Sequence, residues 1–176
     1  MSAVYHNSIF KFRDDLGFMD SDGAVHALSA VAAYGDFKEA ALNRDINRWI
    51  AEHVNNTVLN TAWAVTQPAL GRTLFAIPID ASSTPNALLS MDYRFAPVRW
   101  SYLTFASAFE PQSIAPVIDS ASSNRHIFMA GCNDGYVRKL DQATRSIDGS
   151  TGISADVAIP YLNYGTPKRM KTLFDF

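Results

Sequence analysis

The residues able to do chemistry in this sequence are few and scattered. The single cysteine, Cys132, and the four histidines, His6, His26, His53 and His126, form no His-x-x-x-His or Cys-x-x-Cys pair, so no zinc spacing is present. A nucleophilic cysteine needs a histidine beside it in space, and nothing around Cys132 marks such an arrangement. No Gly-x-Ser-x-Gly, phosphate-cradling glycine-rich loop or Gly-x-Gly-x-x-Gly occurs. Asp20-Ser21-Asp22-Gly23 resembles the middle of a calcium loop, but Phe18 stands two residues before Asp20, and Ser29 takes the place of the bidentate glutamate. That reading fails. Asp14, Asp15, Asp20 and Asp22 cluster near the amino terminus, where they read better as solvated turn residues than as a paired acid and base. The expectation is a noncatalytic chain with no metal and no cofactor. A small hydrolase using His126 and Asp134 is the weakest of the competing readings.

The elements that must carry these residues are short. Of 176 residues, 48% are hydrophobic, 12% aromatic and 18% charged, the composition of one domain with a real core. Turn-forming residues recur every dozen or so positions, separated by runs rich in β-branched and aromatic residues, which predicts an all-β protein. Strands are expected near residues 9–12, 17–19, 24–28, 58–65, 72–78, 87–92, 100–105, 117–119, 126–130, 136–141, 154–160 and 170–176. One stretch breaks the pattern. Residues 37–55 contain neither Gly nor Pro, and Leu42, Ile46, Trp49, Ile50 and His53 recur at three- and four-residue intervals, predicting one amphipathic helix. Asp36, with Glu39 three residues on, suits its N-cap, and Asn55-Asn56 suits a left-handed stop.

Two segments share the pattern Asp-Gly-x-Val-x-x-Leu: Asp22-Gly23-Ala24-Val25-His26-Ala27-Leu28 and Asp134-Gly135-Tyr136-Val137-Arg138-Lys139-Leu140. Asp-Gly supplies the positive φ a tight hairpin needs, and the Val opens the return strand, so Asp22, Gly23, Asp134 and Gly135 are read as hairpin turns. A third hairpin runs from Arg72 through Ser82-Ser83-Thr84-Pro85-Asn86 to Tyr93, and Asp119-Ser120-Ala121-Ser122-Ser123-Asn124 is a further polar tip. Repeated antiparallel hairpins suggest a β-propeller or partial propeller of about four units over residues 1–176. A β-sandwich of the same strand count is the alternative.

Lys+Arg number 15 against 17 Asp+Glu, a formal net charge of −2, so the chain as a whole lacks the field that holds a nonspecific nucleic-acid binder on phosphate. Any DNA contact must be local. A lone cysteine and an amino terminus without a signal-like pattern point to a reducing cytosol, and no apolar run reaches the roughly 20 residues of a membrane span. Lys168-Arg169-Met170-Lys171 is the basic cluster, followed by Leu173-Phe174-Asp175-Phe176. Read as a strand over residues 168–176, it packs on a neighbouring element or a partner subunit, with Lys168, Arg169, Lys171, Phe174 and Phe176 as candidate interface residues.

Asp-Gly-x-Val-x-x-Leu, the helix end Ile46-Asn47-Arg48-Trp49-Ile50, the hairpin leading to Arg99-Trp100-Ser101, Asn133-Asp134-Gly135-Tyr136-Val137 and Tyr164-Gly165-Thr166-Pro167-Lys168-Arg169 together resemble the propeller-containing virion proteins of tailed bacteriophages. The resemblance is to head-to-tail connector and tail tube or nozzle proteins of short-tailed phages, over most of the chain. It implies a structural subunit, made in the bacterial host cytoplasm, that forms a ring with its own copies around the DNA exit channel. Adjacent connector or tail proteins would be its neighbours, and packaged DNA a passive contact. The propeller would close within the chain or be completed by those neighbours. A stand-alone propeller-like module binding a glycan or protein ligand, through Trp63, Trp100, Tyr93 and Tyr136, is the alternative.

Overall fold

The computed structural model describes residues 5–34, 41–119, 125–140, 147–148 and 151–152. They form a mostly β structure of three antiparallel meanders in chain order, followed by a short two-stranded ladder that pairs Ile147–Asp148 with Thr151–Gly152. The first joins β1 (Phe10–Phe12), β2 (Asp15–Met19) and β3 (Val25–Ala27). Helices α1 (Leu28–Tyr34) and α2 (Asn47–His53) follow. The second meander is β4 (Trp63–Gln67), β5 (Arg72–Ile77), β6 (Ala87–Asp92) and β7 (Arg99–Thr104), in that spatial order. The third is β8 (Pro111–Asp119), β9 (Arg125–Cys132) and β10 (Val137–Lys139), with β9 central. None of these sheets closes into a barrel, and no helix among the described residues is long and apolar enough to cross a membrane.

The central hairpin of the four-stranded sheet, β5 and β6, is buried on both faces, and its register shows how. Side chains alternate between faces along a strand. Phe75, Ile77, Ala87, Leu89 and Met91 point one way, onto Phe10, Phe12, Met19 and Val25 of the first sheet and Ile50 of α2. Val65, Leu74, Ala76 and Leu88 point the other way, onto Ile114, Phe128, Ala130 and Cys132 of the third sheet. Leu74-Phe75-Ala76-Ile77 is therefore a continuous apolar run, as a strand covered on both sides requires. Phe10 meets Phe75 edge to face with ring centroids 5.0 Å apart. Opposite Phe10 in the ladder is Gly17, where a Cβ would fall 2.3 Å from the Phe10 ring. The glycine makes room for the aromatic.

Several expectations need correction. The helix over 37–55 exists as a helix only over Asn47–His53, after a single 3₁₀ turn at Arg44–Ile46; residues 35–40, with Asp36 and Glu39, lie outside the described set. The cause is tertiary: Leu42 N–H donates to the Val25 carbonyl at 2.7 Å, and Ala41 pairs with His26, so this segment borders β3 instead of coiling. Helix α1, with its Ala-rich Leu-Ser-Ala-Val-Ala-Ala-Tyr sequence, is an additional element. Asn55 does not stop α2 in a left-handed conformation; its φ is −82°, and its side chain caps the next 3₁₀ turn through Thr57 N–H. That turn, Asn56–Thr61, replaces the first half of the strand expected at 58–65. Residues 120–124, and the strands expected at 154–160 and 170–176, lie outside the described residues.

Because β5 and β6 carry both interfaces, Phe75→Ala is expected to cost about 3–5 kcal/mol and Leu88→Ala about 2–5 kcal/mol. Urea unfolding of the two variants checks this, and near-neutral values would contradict the double burial.

Candidate functional site

The two Asp-Gly turns are built alike. In the first, Gly23 N–H donates to the Asp20 carbonyl (3.1 Å) and Asp20 N–H to the Ala24 carbonyl (2.9 Å); in the second, Gly135 N–H donates to Cys132 (3.0 Å) and Cys132 N–H to Tyr136 (2.8 Å). The positive φ falls on the glycines alone, +79° at Gly23 and +83° at Gly135, so Asp22 and Asp134 occupy ordinary turn positions. Each loop thus holds three residues between paired strand ends, a type I turn followed by a left-handed glycine.

The side chains that lock the turns differ. Asp20 is buried and accepts the Asp22 and Ala24 amides on one oxygen, both at 2.9 Å. Its other oxygen lies 3.0 Å from His26 Nε2, and His26 is only 1% exposed. Buried Asn43 clamps the same hairpin from the next segment, accepting from Val25 N–H (3.1 Å) and donating to the Gly23 carbonyl (3.0 Å). In the second turn Cys132 stands where Asp20 does, and Arg138 where His26 does. There Asp134 accepts both arms of the Arg138 guanidinium at 2.6 Å and the Tyr136 amide at 3.2 Å.

Burial opposes ionisation of Asp20, but the bond to His26 and the two amides outweigh it and hold the carboxyl below its ordinary range. Asp134 is likewise lowered, chiefly by Arg138, and Arg138 is raised by Asp134 and the Cys132 side chain. These polar groups fix hairpins.

An open groove of about 360 Å³ lies between α2 and the exposed edge strand β7. Trp49 stacks on Tyr102 with centroids 4.9 Å apart, Trp100 and Leu89 form the apolar floor, and Asp45, Arg48 and Glu52 stand at the rim. Arg48 is bonded to Glu52 at 2.7 Å. Trp100 Nε1 donates to the Leu42 carbonyl at 3.3 Å, which ties the floor to the segment preceding α2.

The structure does not assemble the aromatic surface expected from Trp63, Trp100, Tyr93 and Tyr136. Trp63 and Trp100 lie on opposite faces of the same sheet by register, Tyr93 packs on Phe12, and Tyr136 sits at the β9–β10 turn. His126 and Asp134 do not meet as a catalytic pair: His126 pairs with Ile118 at the start of β9, and Asp134 lies beyond its far end. No group of three or more potential metal ligands occurs among the described residues. Lys168, Arg169, Lys171, Phe174 and Phe176 lie outside them. Sequence reasoning missed Trp49 with Tyr102, and Asn43; the six-residue interval from Asp20 to His26 across an Asp-Gly turn was the available sign of a cross-strand lock.

Comparison with family models, curated proteins and solved structures finds no match.

Asp20 is expected to carry acid sensitivity. Its folded pKa is lowered, so its contribution is present above the unfolded carboxylate value of about 3.9 and is lost as pH falls through the lower folded value. Asp20→Asn should cost about 1–3 kcal/mol at neutral pH and flatten the acid limb of stability, read from urea midpoints across pH.

Proposed function

We propose that this chain is a noncatalytic structural subunit of a tailed-bacteriophage virion, placed in the neck or tail and assembled with its own copies around the DNA exit channel. The supporting observation is the architecture: three successive antiparallel meanders, the middle one buried between the other two. Consecutive propeller blades pack in this way, and the finer proposal is a propeller or partial propeller, closed within the chain or by neighbouring subunits. The buried Asp20–His26 pair and the paired Asp134–Arg138 serve the hairpins, which suits a scaffold role. Adjacent connector or tail proteins are the proposed partners, and the virion the proposed location.

The groove between α2 and β7 favours a second reading, a module that binds a glycan or protein ligand through Trp49, Trp100 and Tyr102.

Immunogold electron microscopy of particles from a lysate of the source, using an antibody that recognises the native chain, separates the two. Label confined to one vertex or to the tail is expected. Unlabelled particles, with the protein free in the lysate, would overturn the virion reading and direct attention to the groove, where Tyr102→Ala should then abolish ligand capture on a glycan array.

A further inference from the structure

A sheet edge presents a row of unpaired amides and carbonyls, and proteins shorten, break or cover such edges to prevent unwanted pairing. The edges of the three meanders follow that rule with one exception. β1, β3 and β10 have three residues each, and Ala41 pairs with His26 on β3. β8 carries Pro111 and Pro116, with a shift of register between Pro111 and Ser113. β4 is flanked by β1 and β8, and its Thr66 hydroxyl donates to the Lys11 carbonyl at 2.9 Å.

The exception is β7. It runs Arg99-Trp100-Ser101-Tyr102-Leu103-Thr104, with no Pro, Gly or Lys, and pairs with β6 over its whole length without a bulge. Among the described residues, no backbone bond outside that ladder reaches it. Every residue but Trp100 is exposed, Tyr102 at 54% and Leu103 at 45%. Side chains alternate along it: Trp100 and Tyr102 share the α2 side, in register with Met91 and Leu89, while Arg99, Ser101 and Leu103 share the other.

We infer that β7 pairs antiparallel with β7 of a second copy of this chain, about a two-fold axis at Ser101, so that one sheet runs through both copies. An axis through a residue keeps each face of the sheet continuous across the joint. With the axis at Ser101, Trp100 of each copy opposes Tyr102 of the other, both on the α2 side, and Arg99 opposes Leu103. Aromatic cross-strand pairs are favourable, and like charges directly opposed are not. The one charge of the strand therefore meets an apolar side chain, and the axis falls on a small neutral residue. With the axis at Tyr102, Trp100 would oppose Thr104 and the aromatic pairs would be lost. Trp49, stacked on Tyr102 at 4.9 Å, extends the aromatic surface beside the joint. The pairing goes beyond the virion reading and does not require it: antibody label and two-fold association can fail separately.

Charge placed at the axis tests this, because the two-fold sets residue 101 against itself. Sedimentation equilibrium of the full chain is expected to give the wild type as a dimer or a multiple of one. Ser101 is exposed, so Ser101→Lys and Ser101→Glu should keep the wild-type far-ultraviolet circular dichroism. Each variant alone opposes like charges and should pair about tenfold or more weakly, and an equal mixture of the two should restore pairing. A wild type that stays monomeric at about 100 μM would overturn the inference, and would leave the edge to a segment of the same chain or to a different partner. So would single variants that assemble as the wild type does, or folded variants whose mixture fails to pair.

Discussion

Double burial of the β5–β6 hairpin is the constraint on which the rest of this structure depends. A sheet with one apolar face needs one partner; here both faces are apolar, and neither can be left to water. The first meander and α2 cover one side, the third meander the other. The covers show it residue by residue: Gly17 yields to Phe10, Ile50 turns inward from α2, and the prolines of β8, Pro111 and Pro116, sit on an edge strand.

The covers are positioned by polar contacts at their turns. The first meander is held by the Asp20 carboxylate, which collects two amides and His26, and by Asn43, which reaches in from the following segment. The carboxylate of Asp20 and the amide of Asn43 find partners in the interior, and they spend their bonds on the hairpin backbone and His26 Nε2. The third meander uses a less buried version, a guanidinium fork on the turn aspartate. One turn geometry is thus stabilised by different chemistry according to its burial.

Local features were legible in the sequence. Alternation and turn residues placed most strands of the three meanders to within a few positions, although only 117–119 of β8 (Pro111–Asp119) was expected as strand, and Asp-Gly marked both hairpins, because a left-handed glycine is a local requirement. Long-range features were not. The three- and four-residue spacing of Leu42, Ile46, Trp49, Ile50 and His53 was read as one helix, but Leu42 and Asn43 bond to the first hairpin, and tertiary pairing overrode the periodicity. The groove needed β7 and α2 to be adjacent, which Trp49 and Tyr102 reveal only in contact. The bond from the Arg13 guanidinium to the Tyr93 carbonyl joins positions 80 apart. The unbroken run Leu74-Phe75-Ala76-Ile77 did carry a sign of burial on both faces, and it is the residue pattern from which the layering could have been read.

Cys132 gives this layering an internal reporter. It is the chain's one cysteine, 6% exposed, and packed in the apolar joint between the central and third sheets. A thiol in such a place reacts with an alkylating reagent only when the joint opens. Its labelling rate therefore measures how often the third layer lifts from the second, separately from the motions of the first.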